Sequence, residues 1–96
     1  MNLELLEQEK IIEICRRNDI SFCALFGSFA RGEANAKSDV DLLIRFSKPK
    51  SLLGHISIAH QFKDALKKEV DLITENELSL HIRENVLREL KVIYGE

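Results

Sequence analysis

The sequence contains few of the residues that break, crosslink or anchor a chain. Its 96 residues include one proline, four glycines, two cysteines and no tryptophan. The apolar runs are only a few residues long, whereas a membrane helix needs ~20 apolar residues in succession. Residues 1–4 lack the basic start and apolar stretch of a signal peptide. We therefore expect neither secretion nor a membrane partner.

The charge is balanced and the cysteines are sparse. The formal net charge is −2 and no dense Lys/Arg run occurs, so direct nucleic-acid binding is not expected. Cys15 and Cys23 form no Cys-x-x-Cys motif, which predicts buried, reduced thiols rather than a disulfide or a zinc site. With 45% apolar and 31% charged residues, the chain is predicted to form one cytoplasmic domain that spans residues 1–96.

Hydrophobic periodicity predicts alternating helices and strands. The predicted order is a helix at 3–18, a strand at 20–26, a short helix at 28–31, a loop at 33–38, a strand at 40–46, a helix capped near Ser51 that carries Leu52 to Leu66, a strand at 69–74 and a helix at about 80–94. This order predicts an α/β (α+β) domain, with helices flanking a small mixed sheet. Leu52, Leu53, Ile56 and Ile58 spread widely around one helix, which suggests an interface and an oligomer with a partner.

Asp39 and Asp41 flank Val40 at the start of the second predicted strand. Side chains at i and i+2 point to the same face of a strand, so two carboxylates lie together while Val40 points into the core. Such a pair suits Mg²⁺, which prefers hard oxygen ligands and is usually shared with substrate phosphates. The alternative is a solvated pair of aspartates on an edge strand.

Asp71 lies within the apolar segment Val70-Asp71-Leu72-Ile73. An unpaired charge in such a setting is costly, which suggests a functional carboxylate. If its strand neighbours that of Asp39 and Asp41, the acids can hold two metal ions and accept a proton from an attacking hydroxyl. The alternative is a charge at the exposed end of the sheet.

Gly27 and Ser28 follow the first predicted strand. Glycine permits a tight turn and close approach of a ligand, and a helix start with a serine hydroxyl attracts an anion. The same pair is also common in an ordinary turn before a helix. Arg31, one turn later, is placed either to contact a phosphate or to form a surface ion pair.

These residues together resemble a known signature. Gly27-Ser28, ten intervening residues and Asp39-x-Asp41 resemble the motif of the polymerase-beta-like nucleotidyltransferases. The fuller pattern is similar to the minimal nucleotidyltransferase (MNT) branch: Gly27-Ser28-x-Ala30-Arg31-Gly32 with Ser38-Asp39-x-Asp41-Leu42. Asp71 stands where the family's third carboxylate is expected.

The resemblance implies a role for each residue of the motif. Gly27 and Ser28 would hold the triphosphate of ATP. Asp39, Asp41 and Asp71 would bind two Mg²⁺ ions, and Asp71 would also assist deprotonation of the acceptor hydroxyl. The reaction would be in-line attack on the α-phosphorus, with pyrophosphate as the leaving group.

The resemblance also implies a partner. MNT proteins are typically paired with a helical HEPN protein, and in several such systems this partner is an RNase toxin that receives AMP on a tyrosine hydroxyl. The implied function is therefore that of an antitoxin and protein adenylyltransferase. Two alternatives stay open: a binding module that inhibits its partner by occlusion, and nucleotidyl transfer to a small molecule.

Overall fold

The computed structural model describes residues 2–78 and 80–95, with the side chains of residues 80–82 outside that description. Helices and strands alternate along the chain, as the periodicity predicts. Their order is α1 (Leu5–Arg17), β1 (Ile20–Phe26), α2 (Gly27–Arg31), β2 (Val40–Phe46), α3 (Leu52–Leu66), β3 (Val70–Thr74), a 3₁₀ turn (Glu75–Glu77), α4 (Leu80–Glu89) and β4 (Lys91–Tyr94).

The four described strands form one mixed sheet in the order β3-β2-β1-β4. β1 pairs antiparallel with both β2 and β4. β2 and β3 are parallel, and α3 supplies the crossover that a parallel pair requires. β2 therefore lies inside the sheet, and both of its neighbours contribute to the candidate site.

The two faces of the sheet bury different clusters. Val40, Leu42 and Ile44 of β2 join the larger core, which includes buried residues of α1, α2 and α3. Leu43 points the other way and packs with Val86 of α4 in a smaller cluster. The alternation of β2 thus separates α1 and α3 on one face from α4 on the other, as strand geometry requires.

The prediction for the last helix is wrong at the carboxyl end of that helix. The sequence pattern extends it to about residue 94, whereas α4 ends at Glu89 and Lys91–Tyr94 form β4. Val92, Ile93 and Tyr94 favour strands, and β1 has a free edge on which they pair. The predicted apolar stripe of this helix includes Val86, which is buried, and Ile82, whose side chain lies outside the described residues.

α3 begins as predicted, because the Ser51 hydroxyl accepts a hydrogen bond from the Gly54 N–H (3.1 Å). Its apolar face differs from the prediction. Ile58, offered as an interface residue, is buried in the core with Phe62 and Leu66. The other residues predicted at the interface stay exposed: Leu52, Leu53 and Ile56.

Two further expectations concern the thiols and the membrane. Cys15 and Cys23 are free and buried, as predicted. The hydrogen bond to Cys15 is the largest cause that raises the pKa of the Cys23 thiol, and burial raises it further. The reactive thiolate of Cys23 is therefore disfavoured. Among the described helices, none combines the length and the apolar character needed to cross a membrane.

Phe62 is fully buried on α3, so we expect truncation of its side chain to destabilise the fold strongly. Phe62→Ala should lower the free energy of unfolding by about 3–5 kcal/mol, because it leaves a cavity that the sheet cannot fill. Leu53→Ala, at an exposed site on the same helix, should change it by less than about 0.5 kcal/mol. Urea denaturation followed by circular dichroism measures both, and equal losses would contradict the packing described.

Candidate active site

The centre of the candidate site is a pair of aspartates on neighbouring strands. The parallel register of β2 and β3 places Asp41 directly beside Asp71. Adjacent strands lie about 4.8 Å apart, so the two residues are immediate neighbours. Both lie on the face that carries Leu43 and Ile73. The prediction that these two strands are adjacent is confirmed, with Asp41 half-buried and Asp71 exposed.

Asp39 lies at the same end of the sheet but immediately before β2, and it is exposed. The next residue is anchored, since the Val40 N–H donates to the Glu69 carbonyl at 2.9 Å. Within the described residues, no group of three His, Cys, Asp or Glu side chains converges as the ligands of one ion. The structure therefore brings Asp41 and Asp71 together and leaves Asp39 at the rim.

Gly27 packs against the carboxylate of Asp41. It follows β1, whose last residue, Phe26, is the register partner of Asp41. Its φ of +72° lies in the left-handed region, where glycine is favoured. A Cβ at this position would overlap Asp41 Oδ2 and lie 3.0 Å from its Cγ. Glycine is thus required here for its conformation and for its lack of a side chain.

Ser28 is half-buried in the first turn of α2. Its carbonyl oxygen accepts from the Gly32 N–H, which closes the short helix, and from the Glu33 N–H at 2.9 Å. Its hydroxyl, by contrast, has no hydrogen-bond partner among the described side chains and backbone groups. Among the described residues, the serine hydroxyl is therefore left without a partner, and its role toward a ligand stays a prediction.

Glu89 is a site residue that the sequence analysis did not identify. One oxygen, Oε1, accepts from the Gly27 N–H at 3.0 Å. The carboxylate also pairs with Arg31, whose NH1 lies 3.1 Å from Oε2. Arg31 Nε contacts Glu33 Oε1 at 2.6 Å as well. Of the two roles left open for Arg31, the structure shows the ion pair.

Asp41 is the electrostatic focus of the site, and its pKa is raised from 3.8 to about 6. Burial is the largest cause, because it disfavours the charged form. The negative charges of Asp71 and then Asp39 raise the pKa further, and Glu89 adds to the effect. Arg31 opposes them. The negative charges of three carboxylates therefore act on Asp41, and the positive charge of Arg31 offsets them in part.

The donor set fits a hard divalent cation. Asp41 and Asp71 lie side by side and offer carboxylate oxygens, which Mg²⁺ prefers, whereas Asp39, at the rim, does not converge with them on one ion in this structure. Within the described residues, none of them forms an ion pair with a lysine or arginine. A cation held by these groups would offset the crowding of negative charge that raises the pKa of Asp41.

A cleft of about 630 Å³ beside Asp39 gathers lysines that are dispersed in the sequence. Its charged lining residues are Lys37, Lys63, Lys67, Lys68, Asp39, Asp64 and Glu69. Lys63 pairs with Glu69 at 3.0 Å, and Lys68 pairs with Glu7 at 2.6 Å. Two of the four lysines in this cleft are therefore paired with acids, whereas Lys37 and Lys67 form no ion pair among the described residues.

Asp71 lines a second, open cleft of about 340 Å³ between α3 and β3. Ile56 and His60 lie on its helical wall, and Ile56 is one of the exposed apolar residues of α3. His55 ties the two elements together, since its Nε2 donates to the Leu72 carbonyl at 3.1 Å. Asp71 itself is exposed, and its side chain lies on the opposite face of the sheet from α3.

A matched pair of glycines tests the contact between Gly27 and Asp41. Both Gly27 and Gly32 have φ near +72°, but no atom lies within 4 Å of a Cβ built at Gly32. Gly32→Ala should therefore cost only the left-handed penalty of about 1–2 kcal/mol. Gly27→Ala should cost at least about 1 kcal/mol more, because Asp41 must move. Equal losses in urea denaturation would disprove the close contact.

The raised pKa of Asp41 predicts a pH-dependent penalty on folding. Its folded pKa of about 6 exceeds the reference value of 3.8, so its contribution to stability is greatest below pH 4 and is lost as pH rises through 6. In the presence of a chelator, Asp41→Asn should melt above the wild type at pH 7.5 and equal to it near pH 4. The control is Asp64→Asn, which replaces an exposed aspartate on α3. An Asp41→Asn variant whose melting temperature at pH 7.5 is no higher than that of the wild type would refute the prediction.

Residues 9–96 match the family described as polymerase beta, nucleotidyltransferase. A relative named protein adenylyltransferase MntA, from Thermococcus cleftensis, is 37% identical over 93 residues, which cover 92% of this chain and 94% of the relative.

Two solved structures share the fold. One, a toxin–antitoxin with AMP-PNP, has a TM-score of 0.80 at 25% identity, and the match covers 93% of this chain and 73% of the other chain. The other is a tri-AMPylated Shewanella oneidensis HEPN toxin in complex with its MNT antitoxin, with a TM-score of 0.76 at 23% identity over 98% of this chain and 74% of the other. The chain is a nucleotidyltransferase and belongs to the polymerase beta nucleotidyltransferase family.

Proposed function

We propose that this chain is a protein adenylyltransferase that transfers AMP from ATP to a tyrosine hydroxyl of a helical HEPN toxin and so acts as its antitoxin. The observation that carries the proposal is the in-register pair of Asp41 and Asp71 beside the Gly27 turn in a chain of this family. Residues 1–96 would act as one minimal nucleotidyltransferase domain in the cytoplasm, where ATP is available and thiols stay reduced.

The site residues divide the reaction between them. Gly27 and Ser28 would hold the triphosphate, for which the Ser28 hydroxyl, unpaired among the described residues, is a suitable donor. Asp39, Asp41 and Asp71 would hold Mg²⁺, which when bound supplies charge stabilisation for the attacking and leaving oxygens. The acceptor oxygen bonds to the α-phosphorus, the bond to the bridging oxygen breaks and pyrophosphate leaves. Asp71 accepts the proton of the acceptor hydroxyl.

The exposure of Asp71 supports a macromolecular acceptor. Asp71 is exposed on the edge strand β3, whereas sites for small molecules usually enclose most of the ligand surface. On the opposite face of the sheet, α3 exposes Leu52, Leu53 and Ile56, which offer a separate contact surface for a protein partner. These features favour a protein over a small molecule as acceptor.

Transfer can be measured directly. The chain is incubated with ATP labelled on the α-phosphate, Mg²⁺ and a helical HEPN partner, and the label on the partner is quantified. Asp71→Asn should lower the rate by about 10²-fold or more, because the group that accepts the proton is lost. Glu13→Gln, an exposed acid on α1, should match the wild type, and a chelator should abolish the reaction.

The same experiment decides between transfer and occlusion. A folded Asp39→Ala/Asp41→Ala variant should fail both to label the partner and to neutralise it. Neutralisation by this variant without label would identify a binding module that inhibits by occlusion. Label that persists in the Asp71→Asn variant at the wild-type rate would remove Asp71 from the mechanism.

A further inference from the structure

Glu89 is placed at the site by a strand that the sequence pattern does not reveal. In the antiparallel pairing of β1 with β4, Leu25 lies opposite Lys91 and Ala24 opposite Val92. Continued by two residues, that register brings Glu89 opposite Gly27. The hydrogen bond between the Gly27 N–H and Glu89 Oε1 (3.0 Å) therefore continues the pairing of β1 with β4, with a side-chain acceptor in place of a backbone carbonyl.

The Gly27 N–H depends on this carboxylate. Gly27 is buried, and a buried N–H without a partner is costly. The preceding residue, Phe26, occupies the N-cap of α2 and provides no side-chain hydrogen bond. Glu89 thus supplies, from a distant element, the acceptor that the local sequence lacks.

The same carboxylate also holds Arg31. Arg31 NH1 lies 3.1 Å from Oε2 and 3.3 Å from Oε1 of Glu89. The Glu89 side chain is 23% exposed, compared with 65% for Glu33, the other acid that pairs with Arg31. Since exposed ion pairs contribute little, Glu89 rather than Glu33 determines where the guanidinium lies. Both ends of the Gly27–Arg31 segment are therefore tied to one side chain.

We propose that Glu89 is a positioning residue for the donor nucleotide, which holds the Gly27–Ser28 turn and Arg31 in the arrangement that binds ATP. The inference rests on the proposed function. The described contacts of Glu89 are with Gly27 and Arg31, both on the donor side, so its loss should act on nucleotide affinity. The Michaelis constant for the protein acceptor should stay unchanged.

Three variants test the role: Glu89→Ala, Glu89→Gln and, as the matched control, Glu33→Gln. Binding of AMP-PNP with Mg²⁺ is measured by calorimetry below the melting temperature of each variant. Glu89→Ala removes both contacts and should raise Kd about tenfold. Glu89→Gln keeps an acceptor for the Gly27 N–H and should raise Kd less, by about threefold. Glu33 pairs with the same arginine but does not contact Gly27. Glu33→Gln should therefore keep Kd within about twofold of the wild-type value.

Steady-state rates separate positioning from general destabilisation. In the transfer assay, Glu89→Gln should raise KM for ATP and leave KM for the acceptor unchanged. Wild-type affinity for AMP-PNP in Glu89→Gln and Glu89→Ala would overturn the proposal, and so would tighter binding, which would show that the carboxylate competes with phosphate. If Glu89→Ala does not fold, Glu89→Gln alone decides. Failure of the wild type itself to bind AMP-PNP would instead count against the proposed function.

Discussion

The burial of β2 on both faces and along both edges is the constraint on which the rest of the structure depends. Val40, Leu42, Leu43 and Ile44 are all fully buried, and β2 has paired neighbours on both sides. A shift of one residue in its register would send this apolar set to the opposite faces. The packing that stabilises β2 therefore also places Asp41 between Gly27 and Asp71.

The site is electrostatically unfavourable for the fold that carries it. Asp41 is partly buried among like charges, where a carboxylate resists ionisation. Arg31 compensates only in part, because it also pairs with Glu33 and Glu89. Such an arrangement is typical of functional sites, where charges are held for a ligand rather than for stability. The nearby core, which buries residues of three helices against the sheet, supplies the stability that the site lacks.

The two sides of the site differ in how firmly they are held. On the donor side, Gly27 has no room for a side chain and its N–H is bound by Glu89. On the other side, Asp71 is exposed on the edge strand β3. A preorganised donor side favours precise placement of a small ligand, and an open acceptor side accommodates a large one. This asymmetry suits the proposed transfer from a nucleotide to a protein.

Local sequence was sufficient for features whose causes are local. The apolar runs that form β1 and β2 end at residues that cannot continue them, and both strands have the predicted bounds. The motif from Gly27 to Asp41 lies within one turn and one strand start, so its residue types identify the family and the candidate site. The conformation of Gly27 was predictable in the same way, because glycine alone readily adopts positive φ.

Only the tertiary structure decided the features that depend on distant partners. The segment of β4 continues an apolar stripe and was predicted as helix, but the free edge of β1 draws it into the sheet. Glu89 reaches Gly27 solely through that pairing, and no local pattern announces it. Ile58 is buried because the phase of α3 is set by the sheet beneath it. The sequence thus determined the chemical groups of this site, whereas pairing between strands decided which of them meet, since hydrogen-bonded register is a property of two segments and not of one.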